Sequence, residues 1–195
     1  MSTTAEQPTG EEPNRRDFIH IATGAFLLIG GAAALWPLVD QMNPDASTLS
    51  AGTIDVDIAP IEPGQAITVM WRGKPVFVRH RTPEEIEAAK AVDVSELPDP
   101  NVFAMGEQEG LPATDDNITL AGHENWLIVI GICTHLGCIP QGQKPSENRG
   151  DYGGWFCPCH GSHYDTAGRI RRGPAARNLE LPIYSFTSDT SIQLG

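Results

Sequence analysis

The chain has 195 residues and a formal net charge of -12, with 40% hydrophobic and 19% charged residues, 20 Gly and 16 Pro. That length allows one ordinary domain with extras or two small ones, and the abundance of Gly and Pro beside few aromatics points to a turn-rich, mainly β body. A polyanion does not bind nucleic acid by neutralising phosphates, which sets that class aside. The acidity is uneven: Asp40 to Ile132 holds 16 acidic and 5 basic residues, whereas Cys133 to Gly195 holds 5 acidic and 6 basic. The nearly neutral segment contains all four cysteines. Its charge balance suits either docking on a protein or membrane partner or an ordinary solvated face.

Residues 1–17 form a polar tail that ends in Arg15-Arg16-Asp17. Twin arginines directly before an apolar run resemble a Tat export signal. Phe18 to Val39 is that run, 22 residues without Asp, Glu, Lys or Arg. At about 1.5 Å per residue it can cross a hydrocarbon core of roughly 30 Å. It is longer than the apolar core of a cleavable signal and ends in Trp36-Pro37, which predicts an uncleaved transmembrane anchor over 18–39. Arg15 and Arg16 put the N-terminus in the cytoplasm and everything after Asp40 outside it. Residues 40–52 lack a sustained apolar period and read as a hinge or tether, which extended would reach about 40 Å.

A head domain is expected over 53–195. Ile54 to Ile58 alternates as a strand does. Ala66–Trp71 and Pro75–Arg79 flank Arg72-Gly73-Lys74 and predict a hairpin. Thr82-Pro83-Glu84-Glu85 starts a short helix that runs to about Val92. Glu96 to Asn117 is rich in Pro, Gly and acids and reads as a long surface excursion. Trp126 to Ile132 is a buried strand that delivers the chain to Cys133. Short strands near Trp155, 179–181, 184–187 and 191–194 complete the body.

The cysteines fall in two boxes, Cys133-Thr-His135-Leu-Gly-Cys138 and Cys157-Pro-Cys159-His160-Gly-Ser162-His163-Tyr164. Haem attachment needs C-x-x-C-H, and the second box is one residue short of it. Two Cys and two His could hold a structural zinc. They could equally hold a [2Fe–2S] cluster in which two His replace two Cys on one iron, since C-x-H and C-x-x-H offer one thiolate and one imidazole from each loop.

Both boxes, the anchor, the stretch WRGKPVFVRHRTPEEI and the tail GRIRRGPAARNL resemble the Rieske protein family, and within it the quinol-oxidising type of the cytochrome bc1 complex. The resemblance implies an antiparallel β-sandwich head with a small cluster-binding subdomain, here about residues 128–180. It implies Cys133, His135, Cys157 and His160 as cluster ligands and a Cys138–Cys159 disulfide. That crosslink would close a loop of about 22 residues, worth on the order of 3 kcal/mol, and would agree with an oxidising compartment. Ser162 and Tyr164 match residues whose hydroxyls hydrogen-bond a cluster sulfide and a ligand sulfur. Gly173-Pro174-Ala175 resembles the proline loop that covers the cluster. By the same resemblance His160 would accept the quinol's hydrogen bond and proton, and Leu136 would belong to an apolar docking surface. The partners implied are cytochrome b, cytochrome c1 and ubiquinol, within a dimeric complex of a bacterial inner membrane with the head in the periplasm. Three alternatives are the small Rieske subunit of an arsenite oxidase, a Rieske ferredoxin and a membrane-tethered zinc module. A ferredoxin would lack both the anchor and the Cys138/Cys159 pair.

Overall fold

A computed structural model describes residues 14–43 and 52–195. The polar tail before Asn14 and most of the expected tether, residues 44–51, lie outside the described residues. The chain divides into two units, Met1–Leu49 and Ser50–Gly195.

In the first unit a single helix, α1 (Arg15–Asp40), runs for 26 residues, about 39 Å at 1.5 Å per residue. It starts three residues ahead of the apolar run because Asn14 caps it. The Asn14 side chain accepts from the amides of Arg16 and Asp17, and the Asp17 carboxylate accepts from the Asn14 amide at 3.0 Å. No residue of α1 is buried, and Phe18, Leu28 and Trp36 stand fully out on its surface. Among the described residues it is the one helix long and apolar enough to cross a membrane.

The second unit is built on three antiparallel sheets of three strands each. The first joins the two ends of the unit, with β1 (Ile54–Asp57) paired to β9 (Ser191–Leu194) and β9 to β8 (Tyr184–Ser188). The second runs β2 (Ala66–Trp71), β3 (Lys74–His80), β4 (Trp126–Ile130). The third runs β5 (Gly153–Cys157), β6 (Ser162–Asp165), β7 (Ile170–Arg172). Helix α2 (Pro83–Lys90) follows β3, with Thr82 and Glu85 forming its capping box, and a single turn, α3 (Asp115–Ile118), precedes β4.

Strands β3 and β4 are buried on both faces, and their alternation feeds two cores. Val76, Val78, Ile128 and Ile130 pack with Val56, Ile58, Trp71, Ile192 and Leu194 on the side of the first sheet. Phe77, Leu127 and Val129 pack with Trp155, Tyr164, Ile170 and the two cysteines Cys133 and Cys157 on the side of the third. Phe77 and Trp155 stack with ring centroids 6.0 Å apart. The middle sheet is therefore the common wall of a sandwich, and the cysteine-bearing sheet is seated on its second face.

The structure departs from the sequence expectations in several places. The β2–β3 turn contains only Arg72 and Gly73, and Lys74 already pairs with Trp71. Helix α2 stops at Lys90, and β4 stops at Ile130, two residues before the expected end. Residues 179–181 form no strand: Leu181 makes an isolated bridge to Ala104, and the Leu179 amide donates to the Gly168 carbonyl. Strands β6 and β7 carry Ser-His-Tyr-Asp and Ile-Arg-Arg, which show no apolar alternation to read.

The excursion from Glu96 to Asn117 is tied down by buried charge. Arg81, at the end of β3, donates to both oxygens of Asp115 and to the Glu124 carbonyl. Arg169, which is 0% exposed, donates to Asp165 and to the carbonyls of Ala113 and Ala89. Each guanidinium has a carboxylate and backbone oxygens to offset its desolvation.

Candidate metal centre

The two boxes form two loops with the same closure. In the first, the Gly137 amide donates to the Cys133 carbonyl at 3.0 Å; in the second, the Gly161 amide donates to the Cys157 carbonyl at 3.0 Å. Both glycines are left-handed, with φ of 82° and 76°, as closing such a turn four residues on requires. His135 lies inside the first turn and His160 inside the second. Their rings meet edge to face, with centroids 4.6 Å apart at 85°.

A disulfide links Cys138 to Cys159, with Cα atoms 6.7 Å apart. The sulfurs of Cys138, Cys157 and Cys159 lie within 4.8 Å of one another, but the disulfide consumes two of them. Cys133 and Cys157 remain as buried free thiols. Burial pushes the Cys157 thiol up, and the neighbouring Cys133 sulfur adds to this, while the amides of Cys159 and His160 point at the Cys157 sulfur and oppose it.

Tyr164 is fully buried on β6, and its hydroxyl donates to Cys133 Sγ at 3.2 Å. Burial and then the Cys133 sulfur hold its phenol well above the usual tyrosine range. Ser162, two residues after His160 at the start of β6, is 1% exposed and accepts from the Ala175 amide at 3.2 Å. Leu136 and Ile139 are the exposed apolar residues of the first loop, 71% and 60% exposed.

The donor set fits an iron–sulfur group. Two buried thiols have no disulfide partner, and the buried Nδ1 of His135 has no hydrogen-bond partner among the described residues. A buried imidazole nitrogen left bare is costly unless something occupies the site. Soft thiolates with imidazoles are the ligand types that iron in such clusters takes.

All the sequence-singled residues meet in this region: Cys133, His135, Leu136 and Cys138 on one loop, Cys157, Cys159, His160, Ser162 and Tyr164 on the other. Two contributors were not legible. Thr134 brings its amide to 3.4 Å from the Tyr164 hydroxyl and its own hydroxyl to the Arg177 carbonyl at 2.5 Å. Ile139 adds to the exposed apolar tip beside Leu136. A Thr between a Cys and a His and an Ile after a cysteine carry no sequence signal of their own; only the packing of β6 and the 173–178 loop against the first box gives Thr134 its partners.

Comparison with known proteins gives the following. The family described as Rieske [2Fe-2S] domain matches residues 87–185, and that described as Ubiquitinol-cytochrome C reductase Fe-S subunit TAT signal matches residues 5–45. The chain is 54% identical over 194 residues to the ubiquinol-cytochrome c reductase iron-sulfur subunit of Bradyrhizobium diazoefficiens, covering 99% of each. It is 52% identical to that of Rhodospirillum rubrum over 192 residues, 98% of this chain and 97% of the relative. Among solved structures it resembles a chain of a hyperthermophilic respiratory Complex III, with a TM-score of 0.50 and 27% identity over 89% of this chain and 98% of that one.

Proposed function

The chain belongs to the family of Rieske iron–sulfur subunits of ubiquinol–cytochrome c reductase, and from that premise we propose how its residues carry out electron transfer from quinol within the cytochrome bc1 complex. The observation that carries the reading is the pair of matched loops, each offering one buried thiol and one imidazole, held by the Cys138–Cys159 disulfide. Cys133 and His135 from one loop and Cys157 and His160 from the other are the ligands. When bound, the [2Fe–2S] cluster supplies a one-electron acceptor whose potential is raised by its two neutral imidazoles.

The chain's own residues do the rest. His160 is exposed at the tip of its turn, and were it held through Nδ1 its Nε2 would be the ring nitrogen left for substrate. With its own proton released beforehand, that nitrogen would accept a hydrogen bond from the hydroxyl of ubiquinol and take its proton, so that transfer depends on pH. Tyr164 donates to the Cys133 sulfur and Ser162 holds a second hydroxyl in the same site, and hydrogen bonds of this kind favour the reduced, more negative state. Leu136 and Ile139 present an apolar surface around the imidazoles. That surface suits a seat on cytochrome b from which water is excluded, before the electron passes to cytochrome c1.

Residues 1–17 lie in the cytoplasm, 18–39 anchor the chain in the bacterial inner membrane, 40–52 join the anchor to the head, and 53–195 are the head in the periplasm, with 128–180 around the cluster. The complex is dimeric.

EPR of dithionite-reduced membranes containing the complex tests this. A rhombic [2Fe–2S] signal of low average g, shifted by an inhibitor of the quinol site, is the expected result. A cluster signal indifferent to every such inhibitor would point instead to an arsenite-oxidase type of subunit, and stoichiometric zinc without a signal would overturn the redox reading.

A further inference from the structure

A serine hydroxyl has one proton to donate and two lone pairs to accept with. Ser162 is 1% exposed, and its one hydrogen-bond partner among the described residues is the Ala175 amide, which donates to Oγ at 3.2 Å. Its own proton has no protein acceptor there. The amide occupies one lone pair, which favours an O–H directed away from that N–H.

The loop reaches this position because of Gly173. Its φ is +109°, and a Cβ there would strike the Gly161 carbonyl oxygen and lie 2.6 Å from Ser162 Cα. The loop backbone therefore rests directly on the Gly161–Ser162 peptide, an approach open only to glycine. Two further contacts fix it. The Thr134 hydroxyl donates to the Arg177 carbonyl. Buried Asn178 donates to the carbonyls of Asp99 and Asn101 and accepts from the Ile170 amide. A loop pinned at its far end and seated by Gly173 at its near end holds the Ala175 N–H at a set place.

We propose that Gly173 and the Ala175 amide are positioning elements that orient the Ser162 hydroxyl toward the cluster, so that the 173–178 loop tunes the cluster's reduction potential through the hydroxyl its backbone amide holds. This rests on the reading that the Ser162 hydroxyl donates to the cluster. The consequence is specific. Unseating the loop at its Gly173 end removes the contribution of Ser162, while the Thr134 contact lies at the other end, on Arg177.

The test is an EPR-monitored redox titration of membranes carrying the full complex, comparing wild type, Ser162→Ala, Gly173→Ala and the double variant. Ser162→Ala lowers the midpoint potential. Gly173→Ala lowers it by up to the same amount, and the double variant matches Ser162→Ala alone, because the loop acts only through the hydroxyl. Full additivity in the double variant, or an unchanged potential in Gly173→Ala, overturns the proposal. An unchanged potential in Ser162→Ala overturns the reading beneath it, a distinct result. Where Gly173→Ala assembles no cluster, Ala175→Pro removes the N–H without the added Cβ at 173 and is judged by the same comparison. Loss of the cluster in both variants makes the loop structural and ends the positioning role.

Discussion

The Tyr164 hydroxyl, at the centre of β6, donates a hydrogen bond of 3.2 Å to the sulfur of Cys133, which lies 31 residues earlier on the other loop. It is a direct link from one cysteine box to the sulfur of the other. Such a bond stabilises a sulfur that carries more negative charge, which is the reduced state of the group it holds. Tyr164→Phe therefore keeps the cluster and lowers its potential. A net loss of about 1–1.5 kcal/mol corresponds to roughly 40–60 mV for a one-electron couple. Redox titration checks the shift, and an unaltered potential with an intact EPR signal refutes it.

The Cys138–Cys159 disulfide spans 21 positions of sequence. Replacing both by Ser releases the two loops from each other and costs about 3 kcal/mol by chain entropy. The expected result is earlier loss of cluster absorbance on heating, with the secondary structure by far-UV circular dichroism lost only later. Coincident loss of both signals at the wild-type temperature would show that the crosslink does not hold the site.

Glu85 gathers charge from two parts of the head. Its carboxylate accepts from Arg79 Nε at 3.0 Å and from Nη2 of both Arg79 and Arg149 at 2.6 Å. Burial opposes its ionisation, but the hydrogen bonds from Arg79 and Arg149 outweigh burial and hold the carboxyl below its ordinary value of 4.5. A depressed folded-state value means that this group's stabilisation is complete above about pH 4.5 and is lost as pH falls through the lower folded value. Glu85→Gln thus destabilises the head at pH 7, and the gap from wild type narrows as the pH drops below 4.5. Guanidinium midpoints at a series of pH values measure that gap, and a constant gap would exclude the linkage.

Arg169→Met strands the carbonyls of Ala89 and Ala113 and removes the nearer, fully buried cationic partner of Asp165, leaving it only half-buried Arg171 at 3.6 Å. Breaking a buried pair from one side costs on the order of 3–5 kcal/mol. Chemical denaturation is the readout. A loss of under about 1 kcal/mol would mean that water replaces the guanidinium without difficulty.

Much of the site was legible because its chemistry lies in short boxes. Spacing offered a thiol and an imidazole from each box, the family resemblance implied which ones, and the structure brings the two boxes together. The hairpin, the capped helix α2 and β4 were legible because apolar alternation, a Thr-Pro-Glu-Glu start and an Ile/Val run are local signals. β6 and β7 were not, since Ser162, His163 and Asp165 give the chain no period and the strands exist only because β5 offers them an edge. The part played by Arg81, Arg169 and Asn178 was also hidden. Sequence gives a charged or amide residue no reason to be buried until Asp115, Asp165 and the backbone oxygens around it are in place. Ala175 is the extreme case, because what matters there is an amide proton that any residue but proline would carry.

Sheet one also has a mechanical meaning. The Gly52 carbonyl accepts from the Trp71 indole at 2.9 Å, and β1, next along the chain, is an edge strand hydrogen-bonded to β9. A pull on the chain at Gly52 would meet first an indole and a four-residue zipper. Sheet three, which carries Cys157, Ser162 and Tyr164, shares no strand with that zipper. A load at the point where the chain enters the head thus falls on a different sheet from the one that carries the Tyr164 hydrogen bond to Cys133.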